Sequence, residues 1–338
     1  MRYGLIGNPL GHSWSPRIHA LLGDYDYQLY PLEPDQIAAF LQQKDLGGLN
    51  VTLPYKKTVI PYCARLTDAA KEIGGVNTLC FTDEGIVGDN TDCDGFLYLA
   101  RRTGIDFQGR KVIVLGSGAT SRTVCYCARK MGAGQIVVIS RSGADNYENL
   151  DRHRDADILV NTTPLGMYPK NGAAAVSVEA FDALQGVLDV VYNPMRTALV
   201  QDALAHGIPA AGGLAMLVAQ AVVASARFFR HAPQDNVTDG IFRQIAAQVE
   251  NIVLIGMPGC GKTHIAQQLH QLTGRPLIDL DEEVARAAGK SVPQLITQYG
   301  EAHFRALEAE QARLAGQQSG AIIACGGGTP LFEENCRA

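Results

Sequence analysis

Cysteine is scarce. Eight occur in 338 residues and no pair has C-x-x-C spacing, which excludes a disulfide scaffold and the commonest zinc and redox motifs. The eight read as scattered, mostly buried thiols of a reducing compartment. Charge of one sign is also lacking: 29 basic against 34 acidic residues give −5, so no cation excess awaits nucleic acid or anionic lipid. No run approaches the ~18 apolar residues of a membrane span; residues 214–224 come nearest and are broken by Gln220. The start, Met1-Arg2-Tyr3-Gly4-Leu5-Ile6-Gly7, carries no signal-peptide stretch. With 46% hydrophobic residues, disorder is excluded as well. The expectation is a soluble cytoplasmic protein.

What is abundant is glycine, 36 residues without a collagen period, as tight phosphate-type turns require. The length suits two or three domains. Short apolar runs at 3–6, 48–51, 112–115, 136–139, 158–160, 187–191, 252–255, 276–280 and 321–324 recur at helix-sized intervals. That spacing predicts an α/β protein of βαβ units with parallel sheets. Two glycine loops divide it, each needing its own strand-loop-helix unit. A polar stretch from His231 to Asn236 precedes a short helix over 239–249, and the main boundary falls near Glu250. The predicted organisation is a substrate-binding α/β lobe at 1–100 with returning helices at 213–247. A Rossmann-type nucleotide domain follows at 101–212, and a partial P-loop unit at 251–338.

The first loop, Gly116-Ser117-Gly118-Ala119-Thr120-Ser121, follows an apolar strand and opens a helix. Its glycines permit a tight turn and close approach of a pyrophosphate to backbone N–H groups. Without its context the pattern is only a helix-start turn, since Ser121 replaces the third glycine or alanine. The next strand ends in Ser140-Arg141-Ser142, with no acidic residue to hold a ribose 2′-hydroxyl. Arg141 is instead placed to pair with a 2′-phosphate, the alternative being a solvated arginine. NADP is favoured over NAD.

Before this loop lie four polar clusters: Ser13 and Ser15 at a helix entry, Asn50 and Thr52 before Lys56, Asn77 after a glycine pair, and Asp92 after Gly88-Asp89-Asn90-Thr91. Singly, each is more often a cap or a turn. Together with a dinucleotide loop they offer hydroxyls, amides, one lysine and one aspartate, an inventory suited to a polyhydroxylated carboxylate. Residues 1–247 resemble shikimate dehydrogenase in seven motifs, in order: 7–16, 50–56, 74–78, 88–92, 161–167, 189–197 and 213–221. Cys93 stands where the family commonly has glycine, with Gly95 two places on.

The resemblance implies reversible NADPH-dependent reduction of 3-dehydroshikimate to shikimate, in aromatic amino-acid biosynthesis. It implies Lys56 as acid/base and Asp92 as its partner, with Ser13 and Ser15 on the carboxylate. Asn50, Thr52, Asn77 and Gln220 would hold hydroxyls, and Gly213, Met216 and Thr163 would lie by the nicotinamide. Gln220 sits off the apolar stripe of its helix, as a site-facing residue can. His12 reads as a structural turn residue rather than a catalyst. The expected partner is a small molecule, with neither nucleic acid nor membrane, and the chain acts as a monomer or homodimer.

The second loop, Gly256-Met257-Pro258-Gly259-Cys260-Gly261-Lys262-Thr263, matches G-x-x-x-x-G-K-[ST] in full. Its amides would cradle phosphates, Lys262 reach the β/γ-phosphates and Thr263 contact Mg²⁺; the alternative is a non-binding relic. Residues 251–338 resemble the first part of shikimate kinase. That likeness implies ATP, Mg²⁺ at Thr263 and Asp279, and shikimate held by Asp281, Arg305 and Gly326-Gly327-Gly328. Only three strand candidates follow Glu250, and in that family the lid and adenine loop come later, so kinase turnover is expected to be absent. Three readings compete: a dehydrogenase with an incomplete kinase module, a phosphotransferase or bifunctional chain, and a non-catalytic metabolite sensor. Lys56 and Asp92 argue against the sensor. A preference for quinate, or for NAD, is a further alternative.

Overall fold

In the computed structural model all residues are described except His12, Pro169, Ala338 and the side chain of Arg337, so the turn reading of His12 lies outside the described residues. Packing divides the chain into two compact units, Met1–Tyr192 with Arg196–Gln244, and Asn193–Met195 with Ile245–Ala338.

The first unit holds two sheets. One comprises β1 (Arg2–Gly7), β2 (Tyr27–Pro31), β3 (Leu46–Val51), β4 (Arg65–Leu66), β5 (Thr78–Thr82) and β6 (Gly85–Asp89), in the order β2-β1-β3-β5-β6-β4. It departs from the parallel expectation, because β3–β5 and β5–β6 pair antiparallel. Two residues, Asp83 and Glu84, separate β5 from β6. So short a connection can only turn back on itself, whereas a parallel crossover needs about a dozen residues. The polar motifs at 74–78 and 88–92 overlap the ends of these two strands and mask them in the sequence.

The second sheet, β7 (Lys111–Leu115), β8 (Gln135–Ile139), β9 (Ile158–Asn161), β10 (Gly186–Asp189) and β11 (Ala210–Ala211), is parallel throughout, in the order β11-β10-β9-β7-β8. Val112, Ile113, Val114 and Leu115 are all fully buried, which explains the unbroken apolar run: helices cover both faces of a parallel sheet. Strand order reverses at β7, between β8 and β9. Crevices at such switch points are where ligands bind in open α/β sheets.

Helix Leu214–Phe229 returns from the second sheet to pack on helix Asp92–Thr103. Gly95 makes this approach possible: a Cβ there would lie 2.5 Å from the Met216 carbonyl and 3.1 Å from Gln220 Cβ. Cys93 is buried beside Cys127. The following helix spans Asp235–Val249, starting earlier than the predicted 239. Asp235 in its first turn pairs with Arg101 at 2.7 Å, and Asp239 accepts from Tyr98 at 2.5 Å and from Arg102. Those acidic groups suit the positive end of a helix, so the end of the polar stretch, Asp235 and Asn236, belongs to the helix, and residues 231–234 remain the linker.

The second unit contains β12 (Ile252–Leu254), β13 (Leu277–Asp279) and β14 (Ile322–Ala324), parallel in the order β12-β14-β13. Central β14 is fully buried, whereas Val253 and Ile255, in and just after β12, are 52% and 63% exposed.

Candidate active site

A cleft of about 400 Å³ opens in the first unit. Every residue proposed from sequence for substrate or proton chemistry lines it: Ser13, Ser15, Asn50, Thr52, Lys56, Asn77, Asp92 and Gln220. Most of them stand at or beside the ends of regular elements, whereas Lys56 lies in the turn after β3 and Gln220 inside helix Leu214–Phe229. Ser15 opens helix Ser15–Ala20, Asn50 and Thr52 sit at and beyond the end of β3, Asn77 precedes β5, and Asp92 begins helix Asp92–Thr103. Element ends carry polar groups that the backbone ladder leaves free to face a ligand.

At the cleft, Lys56 Nζ donates to Asp92 Oδ2 at 2.6 Å, with the side chains only 18% and 14% exposed. Asp92 Oδ1 accepts from Asn77 Nδ2 at 2.9 Å. The lysine therefore points one hydrogen at its partner and keeps two others, which is what a proton donor toward a bound substrate requires. Asn77 Oδ1 accepts from the Thr91 N–H at 2.7 Å. The Lys56 carbonyl accepts from Val76 N at 2.8 Å, locking the lysine segment to the strand entry beside it. Ser13 Oγ accepts from Ser15 N at 3.2 Å, and Gln220 Nε2 donates to the Leu217 carbonyl at 2.9 Å.

Opposite these groups lies the glycine loop. Gly116 has φ +98°, and a Cβ there would come within 3.0 Å of Thr162 and Thr163, so glycine is required by both conformation and space. Gly118 is the N-cap of helix Ala119–Lys130 and faces open space. Ser117 is exposed, Ser121 is buried, and Thr120 lines the cleft. At the end of β8, Ser140 is buried while Arg141 and Ser142 are exposed. Arg141 has no ion-pair partner among the described residues. Thr163 follows β9, held by Asn161 Oδ1, which accepts from its N–H at 3.0 Å and its hydroxyl at 2.7 Å. Gly213 and Met216 line the cleft on this side. A helix N-terminus without a side-chain cap, a backbone cradle that a Cβ would fill and an unpaired arginine one strand away fit a phosphorylated dinucleotide.

Sequence reasoning missed Val190 and Tyr192, which also line the cleft. Tyr192 lay inside a motif already noted, 189–197, and burial raises its phenol above the ordinary 10. It also missed the supporting threonines, Thr78 and Thr91, both fully buried behind Asn77.

In the second unit, Gly261 caps helix Lys262–Thr273. Lys262 Nζ donates to the carbonyls of Gly256 at 2.8 Å and Met257 at 3.0 Å. Thr263 Oγ1 donates to Asp279 Oδ2 at 3.1 Å, a hydroxyl–carboxylate pair of the kind that serves Mg²⁺ beside a phosphate. Arg305 pairs with Glu308 at 2.8 Å and Glu301 at 3.0 Å. A Cβ on Gly326 would meet Asp281 Oδ1 at 2.9 Å, and one on Gly328 would meet Arg305 Nη2 at 2.7 Å. Gly327 packs on Pro258 beside Gly259. Burial, then Asp279 and Glu308, raise the Asp281 carboxyl. The residues singled out after Glu250 therefore gather around one glycine turn.

A parallel sheet with a glycine loop at its switch point, facing a polar cleft that holds a lysine–aspartate pair, defines a nucleotide-dependent oxidoreductase of Rossmann type. The family model "Shikimate dehydrogenase substrate binding domain" matches residues 5–79, and the model "Shikimate kinase" matches residues 258–338. The shikimate dehydrogenase (NADP(+)) of Caldanaerobacter subterraneus subsp. tengcongensis is 34% identical over 246 residues, 65% of this chain and 88% of that protein. Among solved structures, a chorismate mutase/shikimate 5-dehydrogenase fusion from Clostridium acetobutylicum superposes with TM-score 0.70 at 33% identity, covering 72% of this chain and 96% of that one. The Thermus thermophilus shikimate 5-dehydrogenase in complex with NADP(H) and shikimate does so with TM-score 0.63 at 28% identity, covering 72% and 99%. The chain belongs to the shikimate dehydrogenase family and carries a shikimate kinase domain behind it.

Proposed function

We propose that the chain catalyses reversible, NADP(H)-dependent interconversion of 3-dehydroshikimate and shikimate. The observation that carries this reading is the Lys56–Asp92 pair in the cleft that Thr120, Val190 and Gly213 close from the nucleotide side. Ser13 and Ser15 hold the substrate carboxylate; Asn50, Thr52, Asn77 and Gln220 hold ring hydroxyls. Gly116 to Ser121 bind the pyrophosphate, Ser140, Arg141 and Ser142 the 2′-phosphate, and Thr163, Gly213 and Met216 flank the nicotinamide. When bound, the nicotinamide supplies a hydride to the ring carbonyl carbon or accepts it back. Lys56 gives a proton to the oxygen that becomes the hydroxyl, and recovers one from solvent; in the reverse direction it takes that proton. Asp92 keeps the ammonium aimed and stabilises its charge. The deciding assay is NADP reduction with shikimate, repeated with quinate and with NAD. Turnover with shikimate and NADP is expected to exceed both, and its absence would remove the reading. The proposed setting is the cytoplasm, a reducing compartment that suits eight free thiols, with the chain as monomer or homodimer; no helix among the described residues is long and apolar enough to cross a membrane.

Arg141→Asp is expected to cost NADP about 100-fold in kcat/KM and NAD under about threefold, since a charge-assisted contact turns into repulsion. Equal losses with both cofactors would place Arg141 away from the ribose.

For the kinase domain we propose phosphate binding without turnover in a polypeptide of these 338 residues, although the domain itself fits ATP and Mg²⁺ at Lys262, Thr263 and Asp279. Phosphoryl transfer depends almost wholly on positioning. Here the loop hangs from β12, an edge strand paired only with β14 among the described residues, so one flank of the loop strand has no neighbour to hold it in position. Incubation of the purified polypeptide with ATP, Mg²⁺ and shikimate should yield no shikimate 3-phosphate. Its formation at ordinary kinase rates would establish the bifunctional reading instead.

A further inference from the structure

We infer that Tyr27 is a positioning residue for the dehydrogenase site, acting through a directed chain of hydrogen bonds that ends at Lys56. The inference rests on the dehydrogenase reading. Tyr27 lies in β2 and is not among the residues that line the cleft. Its hydroxyl donates to Asn50 Oδ1 at 2.8 Å. Asn50 Nδ2 donates to Thr78 Oγ1 at 3.2 Å and to the Asn77 carbonyl at 3.3 Å. Thr78 donates to Asn77 Oδ1 at 3.0 Å. Asn77 Nδ2 then donates to Asp92 Oδ1 at 2.9 Å, and Lys56 holds the other carboxylate oxygen at 2.6 Å.

The direction of this chain is forced by groups that have only one role. An ionised carboxylate only accepts, so Asn77 must turn its NH₂ to Asp92. The Thr91 backbone N–H only donates, and it lies 2.7 Å from Asn77 Oδ1. A backbone carbonyl only accepts, so the Asn50 NH₂ faces that of Asn77, which leaves Asn50 Oδ1 toward Tyr27. The phenol must therefore be the donor. Loss of solvent around it raises its pKa well above 10, so it stays protonated across the working pH range.

The consequence for the substrate lies in Asn50, which is buried yet lines the cleft. With its NH₂ committed and one lone pair of Oδ1 held by Tyr27, Asn50 can offer a substrate only an acceptor. It is set to receive a ring hydroxyl. Without the phenol, Oδ1 is left under-satisfied, and the amide gains a reason to rotate and offer a donor instead. The same chain fixes Asn77 and, through it, the carboxylate that aims Lys56.

The Tyr27 ring makes a separate contribution: it stacks on His19 with centroids 3.8 Å apart and planes at 8°. Tyr27→Phe keeps that ring and removes only the donor. A kinetic double-mutant cycle then isolates the link. In wild type, Y27F should lower kcat/KM for shikimate about tenfold, corresponding to roughly 1.4 kcal/mol, shared between KM for shikimate through Asn50 and kcat through Asn77, Asp92 and Lys56, with KM for NADP unchanged. In an Asn50→Ala background the same change should cost under about twofold, because the group it acts through is gone. Equal losses in both backgrounds, or no loss in the first, would overturn the inference. Should Y27F fail to fold, Thr78 carries the test: T78S keeps the donor and should stay near wild type, whereas T78V should lose about tenfold. Equal behaviour of those two would overturn it as well. A wild type inactive on shikimate would overturn the dehydrogenase reading and the inference together; an active wild type with additive losses would overturn the chain alone.

Discussion

Replacing Lys56 by alanine is expected to lower kcat by about 10²–10⁴-fold, the usual contribution of a positioned proton donor, with little change in KM for shikimate. The ammonium lies 2.6 Å from Asp92 and is largely withdrawn from solvent, so its strongest interaction with the substrate develops as the carbonyl oxygen gains charge. An interaction made mainly in the transition state appears in kcat rather than KM. Asp92→Asn should fall by a similar factor for a different reason. Asp92 accepts simultaneously from Lys56 Nζ and Asn77 Nδ2, and an amide has only one oxygen to accept with. Its NH₂ must face a second donor, whichever way it turns, so either Lys56 or Asn77 is displaced. Steady-state kinetics with shikimate and NADP decide both cases. Near-normal turnover of K56A would remove Lys56 as the acid/base, and near-normal turnover of D92N would show that the charge of Asp92 is dispensable.

Much of this site was legible because its parts are local in sequence. Ser13 with Ser15, Asn50 with Thr52 and Lys56, and Asn77 beside a glycine pair are short signals at element ends, and all of them converge on one cleft. The parallel second sheet was legible for the same reason: residues 112–115 and 158–160 are continuous apolar runs that only a doubly covered sheet can bury. What was not legible depends on long-range geometry. Nothing near Tyr27 marks it as a partner of Asn50, 23 positions away, or Thr78 as a partner of Asn50, 28 positions away. The antiparallel β5–β6 hairpin is hidden in the sequence because polar motifs at 74–78 and 88–92 cover its two outer ends and neither strand alternates cleanly in burial. Gly95 illustrates an intermediate case. Its presence two places after Cys93 was visible, but its function as the contact point for Met216 and Gln220 appears only once two helices separated by more than a hundred residues are packed together.

The carboxylate of Asp189 gives the largest expected effect on stability, and it reaches the nucleotide side of the site. Asp189 is completely buried at the end of β10. Its Oδ1 accepts from Val191 N at 2.9 Å and Asn161 Nδ2 at 3.0 Å, and its Oδ2 from Thr197 Oγ1 at 2.7 Å. Asp189→Ala strips a partner from three buried donors at once. At about 1–3 kcal/mol for each such group, the variant should lose roughly 3–9 kcal/mol, a large part of an ordinary stability of about 5–15 kcal/mol. Activity should suffer too, because Asn161 is also the group that holds Thr163. Asp189→Asn should cost far less: its oxygen can serve Val191 and Asn161, while its NH₂ meets the Thr197 hydroxyl, which can accept. Burial raises the Asp189 carboxyl above its ordinary 3.8, opposed by its three donors. A carboxyl whose folded pKa lies above its unfolded value adds most stability when protonated, below the unfolded pKa, and that contribution fades as pH rises through the folded pKa. The stability of wild type relative to D189N should therefore decline as pH is raised from about 4 to 7. Urea unfolding of the three proteins across that range is the measurement. A D189A protein as stable as wild type would mean that Val191, Asn161 and Thr197 find other partners, and a D189N difference that grows with pH would reverse the sign assigned to the buried carboxyl.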